Sequence, residues 1–337
     1  MLDLERLRAL NAVATYGTVS GAADALHVTT SAVSQQVAKL ERETGQKLLE
    51  RNGRGVRLTD AAELLVRHAE RILALVEVAQ SDLEAHRGTA VGELSVAAFP
   101  TAIRGLLAAA LVRLRGEHPR LRVKVREADP SESLPQAARG EIDVAIVQDW
   151  NNEPLALPDG LVKGHLCEDV ADVALPADHP LAGRKSVELK ELAGDSWISA
   201  TIDSVCYDWL THTLRSVDSE PRIDHMAYEY ESQLALVGAG CGAAILPRLG
   251  RCVVPDNVRV LPLRPLLTRR LFAVWRTEAA RRPAIRATVD ALRAVAAAPS
   301  PELTECSVRP SAPPDPATTL DRGVRMAPSP ESKGGAW

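Results

Sequence analysis

The chain has 337 residues, 46% of them hydrophobic and 25% charged, ordinary values for a globular protein long enough for two or three domains. Its 40 basic and 44 acidic residues give a formal net charge of −4, which does not exclude a nucleic-acid partner, because only the contacting surface counts. No apolar run approaches the ~20 residues of a membrane span and the amino terminus MLDLERLRAL is charged and amphipathic, so neither a transmembrane helix nor a secretory signal is expected, and the protein is expected in the cytoplasm.

Leu4, Leu7, Leu10 and Val13-Ala14 recur at helical spacing and predict a first helix from about Leu4 to Tyr16, ended by Gly17. Thr18 or Ser20 can cap a second helix, in which Gly21, Ala22 and Ala23 permit close approach of a neighbour. After a break at His27-Val28-Thr29, the hydroxyl of Thr29 or Thr30 can cap a third. Its Val33, Val37 and Leu40 form one apolar face, and Thr30, Ser31, Ser34, Gln35 and Lys39 the polar one. Apolar behind and amide-bearing in front, such a helix suits insertion into a DNA major groove. Arg51-Asn52-Gly53-Arg54-Gly55-Val56-Arg57 then reads as a tight basic turn between two short extended pieces, a wing for phosphate or minor-groove contact. From Lys47 to Arg57 there are four basic residues and one acidic, so positive charge concentrates there.

This stretch resembles the amino-terminal winged helix of LysR-type transcriptional regulators. The resemblance is carried by Leu7, Ala12 to Gly17, Ser20-Gly21-Ala22-Ala23, Leu26, Ser31 to Gln36, Leu40-Glu41, Gly45, Leu48 to Arg51 and Leu58-Thr59. Leu49 stands where the family often has Phe, and Ala62 where a Gly usually follows the Leu-Thr pair. The implied contacts are Thr30, Ser31, Ser34, Gln35, Lys39, Arg51 and Arg54, with Arg57 an even choice between contact and solvated charge. Gln35 is the best base reader, because its amide can pair bidentately with adenine. The family often carries Arg there, which favours guanine. Lys39, Arg51 and Arg54 would position without specifying.

From Thr59 the pattern changes. Ala62, Leu65, Ala69, Ile72, Val76, Ala79 and Leu83 step alternately by three and four, with no Pro or Gly before Gly88. A heptad seam on a helix ~45 Å long predicts a partner helix, most simply the same helix of a second copy. In the family this segment is the dimerising linker.

Beyond Val91, extended and helical segments alternate. Glu93 to Ala98, Leu121 to Arg126, Ile142 to Val147, Val170 to Leu175, Trp197 to Ser199, Arg222 to Tyr228, Ala243 to Leu246, Val258 to Leu261 and Arg270 to Trp275 read as strands. Helices are expected up to Glu117 after Thr101, over Ser131 to Arg139, over Ser232 to Gly238 and over Pro283 to Ala297. Such alternation indicates a parallel sheet with covered faces. Gly92-Glu93-Leu94, Gly140 to Ile146, Pro176 to Ala182, Val237 to Gly240 with Gly242, and Leu246-Pro247 resemble the effector-binding domain of the same family, which has the two-lobed fold of periplasmic binding proteins. The expected fold class is therefore α/β: an N-terminal winged helix-turn-helix and a long linker helix, then a two-lobed effector domain. The expected domains are residues 1–58, 59–89 and 90–297, with lobe I about 91–165 and 265–297 and lobe II about 166–264. Eight prolines crowd the last 40 residues, so 298–337 reads as a disordered tail.

By that likeness the cleft is lined by Thr101, Gln148, Ser199, Thr201, Glu229 and Glu231. Thr101 would offer a hydroxyl and free N–H groups at a helix start to an anion. Glu229 and Glu231 would favour an amine or guanidinium, or are exposed loop charges. The expected partners are double-stranded DNA, a small-molecule effector and further copies as homodimer or homotetramer, with RNA polymerase left open. No nucleophile elbow, P-loop, dinucleotide fingerprint or metal spacing is present in the sequence, so neither enzymatic activity nor a cofactor is expected. Without its first 90 residues the chain would fit a solute-binding protein. The five cysteines read as reduced thiols. A redox-sensing regulator would use Cys206 with Cys241, or Cys241 with Cys252.

Overall fold

The computed structural model describes residues 2–52, 55–150, 154–217 and 219–298. Arg54 of the expected wing, Cys306 and the expected tail from residue 299 on lie outside the described residues, as do the side chains of Arg51 and Asn52.

Helix α1 (Leu4–Tyr16) starts where the Asp3 carboxylate accepts from the Glu5 and Arg6 N–H groups, and stops at Gly17, whose φ of 68° suits glycine. Thr18 rather than Ser20 caps α2 (Val19–Ala25), and Thr29 rather than Thr30 caps α3 (Thr30–Thr44), each accepting a backbone N–H three residues on. Strands β1 (Leu49–Asn52) and β2 (Gly55–Leu58) pair antiparallel. Leu7, Leu10, Leu40 and Leu48 are buried with Ala62 and Ala69 from α4 (Asp60–Arg87).

That packing divides the expected seam. Ala62 and Ala69 are buried and Leu65 is partly buried on this chain's own head, so the first half of the stripe already has its partner. The outward stripe keeps Ile72 and Leu83 of the expected seam and adds Leu64 and Leu75: all four are exposed, Leu75 by 69% and Leu83 by 65%. The reason is geometric. Thr59 alone separates β2 from α4 and its hydroxyl donates to the Lys47 carbonyl at 2.7 Å, which fixes the first turns against α1. Away from the head, α4 carries Glu77, Asp82 and Glu84, paired respectively with Arg276 (2.6 Å), Arg281 (3.0 Å) and Arg282 (3.0 Å).

The remainder is α/β. In order come β3 (Gly92–Ala98), α5 (Pro100–Ala102), a π-helical turn (Ile103–Leu107), α6 (Ala108–Glu117), β4 (Leu121–Glu127), α7 (Pro130–Ala138) and β5 (Val144–Trp150). Then follow β6 (Leu161–Pro176), β7 (Val187–Glu188), β8 (Trp197–Ser199), α8 (Val205–Arg215), β9 (Ile223–Met226), α9 (Tyr230–Gly238), β10 (Ala243–Pro247), β11 (Val258–Arg276) and α10 (Pro283–Ala297). The sheet runs β4-β3-β5-β11-β6-β10-β8-β9, with β7 paired to β11. It is mixed rather than parallel. β3 is parallel to β4 and β5, whereas β11 is antiparallel to β5 and β6.

Strands β6 and β11 span 16 and 19 residues and run through both lobes. Several expected short strands are pieces of these two. Their register slips between Pro262 and Leu267, where the chain passes from one lobe to the other. One core gathers Leu94, Val96, Leu106, Ile146 and Leu292, and another Val173, Leu192, Trp197, Trp209 and Leu263. Trp150, at the end of β5, belongs to the second core and so ties the lobes together.

Candidate functional sites

On the head, burial of Val33, Val37 and Leu40 turns the opposite face of α3 outward. Thr30, Ser31, Ser34, Gln35 and Lys39 are all exposed. Ser31 shares a hydroxyl contact with Thr29 at 3.0 Å, while Thr30, Ser34, Gln35 and Lys39 have no hydrogen-bond partner among the described residues. An exposed row of donors and acceptors without internal partners is available to an outside ligand. Arg57 donates to Glu50 across the hairpin at 2.9 Å, and both side chains stay exposed.

Glu41, at the far end of α3, fastens that helix to the hairpin. Its carboxylate accepts from the Leu48 N–H (2.9 Å), the Leu49 N–H (3.4 Å) and Lys47 (3.2 Å). Burial alone would push this carboxyl up; the N–H groups and Lys47 outweigh it and hold it below its ordinary value. The head also touches lobe I, where Arg139 donates to the Tyr16 hydroxyl at 2.9 Å and both meet Glu141.

Between the lobes the centre is a side chain absent from the expected set. Arg269 is fully buried. Its Nε and Nη2 reach Asp169 at 2.9 and 2.7 Å, Nη1 donates to Gln148 Oε1, and Nη2 donates to Thr101 Oγ1 at 2.9 Å. Its guanidinium carbon also lies 5.4 Å from the Phe99 ring centre and 5.8 Å from that of Trp150. Thr101, Gln148 and Ser199 are buried, and the first two share Arg269. The Thr101 hydroxyl, expected to face an anion, is thus taken by the chain's own cation. Thr201 is exposed and lies apart from this cluster's contacts.

Glu229 and Glu231 face a cation, but an internal one. Arg104, on the π-helical turn of lobe I, lies 3.3 Å from Glu229 and 3.9 Å from Glu231, and donates to the Gly250 carbonyl at 3.0 Å. Burial, reinforced by Glu127, raises the Glu229 carboxyl above its ordinary value despite Arg104. The lobes meet here through glycines. A Cβ on Gly105 would lie 2.6 Å from Leu249, and one on Gly250 would strike the Thr101 carbonyl. Nearby, Asp172 accepts from Arg248 (2.9 and 2.8 Å) and Arg251 (2.7 Å), which hold its carboxyl below the usual range although burial opposes them. Asp169 also accepts the Leu249 N–H at 2.9 Å, linking this loop to Arg269.

Cys206 receives a hydrogen bond from Gln148 Nε2 at 3.3 Å. Cys241 and Cys252 pack together on a different cluster, so Cys206 and Cys241 serve separate environments. Burial pushes the thiols of Cys206 and Cys252 up, and that of Cys167 up to about 11, away from the thiolate form that redox chemistry needs. The described residues hold no cluster of metal-ligating side chains and no helix long and apolar enough to cross a membrane.

Residues 4–63 match the family model described as a bacterial regulatory helix-turn-helix protein of the lysR family, and residues 87–297 match the LysR substrate binding domain. The chain is 30% identical over 262 residues to the HTH-type transcriptional regulator IlvY of Escherichia coli, covering 77% of this chain and 86% of that one. In structure it is similar to a full-length OxyR variant from Pseudomonas aeruginosa, with a TM-score of 0.65 at 22% identity over 87% of this chain and 98% of that one. An OxyR mutant from Corynebacterium glutamicum gives a TM-score of 0.54 at 26% identity, covering 87% and 91%.

Proposed function

The chain belongs to the LysR family of transcriptional regulators, and from that membership we propose that it binds promoter DNA as a homodimer or homotetramer under control of a small-molecule effector between its lobes. The observation that carries the DNA part is the exposed row Thr30, Ser34, Gln35 and Lys39, without partners among the described residues, on a helix whose back is buried. Gln35 and Ser34 read bases, and Lys39 with Arg51 and Arg54 meets the backbone. Residues 1–58 form the reading head, 59–89 the linker, and 90–297 the effector domain. The linker pairs two copies through the outward stripe Leu64, Ile72, Leu75 and Leu83, which sets the separation of two recognition helices. The protein acts in the cytoplasm, where RNA polymerase is its further partner.

The effector reading is supported by Thr101 and Gln148, buried against Arg269 where β6 and β11 cross between the lobes, with Ser199 buried at the end of β8. A ligand with different affinity for two lobe positions would shift the heads. Footprinting of the DNA beside the protein's own gene, with and without candidate metabolites, tests the reading. Protection whose extent changes with one metabolite is expected; no protection at any salt below physiological contradicts it.

A further inference from the structure

The head, the linker helix and lobe I meet pairwise, and their three contacts close a triangle. Leu7, Leu10 and Leu40 of the head are buried with Ala62 and Ala69 of α4, so the first side is apolar. Lobe I grips α4 through the Arg276, Arg281 and Arg282 ion pairs, and Arg282 also holds Asp143 at 2.6 Å. The third side runs from the last residue of α1 to the turn after α7. Tyr16 packs its ring against the head core and sends its hydroxyl to lobe I. There Arg139 Nε donates to that hydroxyl at 2.9 Å, and Glu141 accepts from it. The Arg139 guanidinium carbon lies 5.1 Å from the centre of the same ring.

The turn that presents Arg139 and Glu141 is braced from the linker side. Arg276 Nη1 donates to the Ala137 carbonyl at 2.9 Å and the Ile142 carbonyl at 3.1 Å, while its Nε and Nη2 hold Glu77. Gly140 lies between with φ 78°, and a Cβ there would come within 3.2 Å of Arg276. One arginine thus fixes both the linker and the turn that meets the head.

The three sides differ in strength. The first buries several apolar side chains and the second joins three ion pairs, whereas the third hangs on one phenol. Beside it a cleft of about 890 Å³ separates head, linker and lobe I, with Leu26, Leu73, Ala74 and Gln80 among its walls. Across a space of that size no apolar packing backs the Tyr16 contact. Burial also pushes the Arg139 guanidinium down and the Glu141 carboxyl up, so both charges are held against their solvation. The Tyr16 side opens first.

We propose that Tyr16, Arg139 and Glu141 are positioning residues for DNA recognition: they tie each recognition helix to lobe I and so set the half-site separation that the paired heads accept. The inference rests on the regulator reading and adds residues outside both the recognition helix and the cleft between the lobes. Val13 packs with Val33 and Val37, and Leu10 with Leu40, so α3 follows wherever α1 is held. Once the contact breaks, each head pivots on its linker. Half-sites displaced by one base pair, ~3.4 Å and ~35° around the duplex, then come within reach.

Two measurements test this. Fluorine NMR of the DNA-free full-length protein, with 3-fluorotyrosine at its four tyrosines, reads the contact itself. The resonance that vanishes in Tyr16→Phe belongs to Tyr16, and Glu141→Ala should move it; an unmoved resonance overturns the proposal. Selection from randomised DNA of variable spacer length reads the consequence. Wild type should prefer one spacing. In Tyr16→Phe and in Glu141→Ala its advantage over spacings one base pair longer or shorter should fall roughly tenfold, the weight of a hydrogen bond to a charged group. Base preferences within each half-site should stay as they are, and the double variant should fall no further than either single one, because both cut the same link. An undiminished advantage, or affinity lowered alike at every spacing, is what a merely stabilising residue would give and overturns the proposal. Wild-type protein that selects no sequence at all would end the regulator reading, and this proposal with it.

Discussion

Arg269 and Asp169 stand 100 positions apart in sequence and meet at 2.9 Å where β11 and β6 pass between lobes. Each is almost fully enclosed, so neither charge is tolerable without the other. Arg269→Lys should destabilise the protein by about 3 kcal/mol, because an ammonium cannot reproduce the fork shared by Asp169, Gln148 and Thr101. Joint replacement of Arg269 by Met and Asp169 by Leu should recover most of that loss. Urea unfolding of the three proteins measures both. Equal stability of Arg269→Lys and wild type would show that the pair holds nothing together.

Two other acids respond oppositely to pH. Asp172 is buried and its carboxyl is depressed by Arg248 and Arg251, so its stabilisation is present above the unfolded value, ~3.9, and is lost as pH falls through the folded one. At pH 7, Asp172→Asn should cost about 2 kcal/mol, less than a fully enclosed pair because the arginines remain 34% and 23% exposed. The deficit should shrink under acid. The Glu229 carboxyl is raised, so its ionised form weighs against the folded state at neutral pH. Glu229→Gln should be neutral or slightly stabilising at pH 7. Thermal melts of both variants between pH 3 and 8 would reveal a reversed order if these signs are wrong.

Leu75 and Leu83 touch little within their own chain. Leu75→Glu together with Leu83→Glu should leave the melting transition in place and convert the sedimenting species to monomer, with DNA affinity falling as paired heads are lost. An unchanged mass would assign self-association to another surface.

What was legible in the chain depended on how far each pattern reaches. The first helix is readable to its ends, Leu4 and Tyr16, because apolar spacing and a glycine stop are local signals; the Asp3 cap appears only in the structure. Helix α8 was missed: Val205 to Arg215 mixes aromatic, β-branched and polar residues, and only Trp209, Leu210, Thr213 and Leu214 are buried. Strands β6 and β11 are legible only in pieces, whose edges fall at Asp169 and Arg269, while Asp172 and Arg270 add charge within the pieces. Those charges are neutralised by partners 76 to 121 positions away, which no periodicity encodes. For the same reason the expected cleft residues Thr101, Gln148 and Ser199 do not include Arg269, the cation that joins the first two. The seam on α4 had the right period, but sequence could not tell which turns the head itself would cover.

The central claim is that the outer face of α3 reads sequence, and selection from randomised DNA by wild type and Gln35→Ala, followed by affinity measurement on the sites recovered, tests it most directly. Selectivity should relax at one base position in each half-site, where a lost bidentate contact removes about 1–3 kcal/mol of discrimination, while preferences elsewhere in the site persist. Equal weakening on every sequence, with the pattern of preference unchanged, would contradict it.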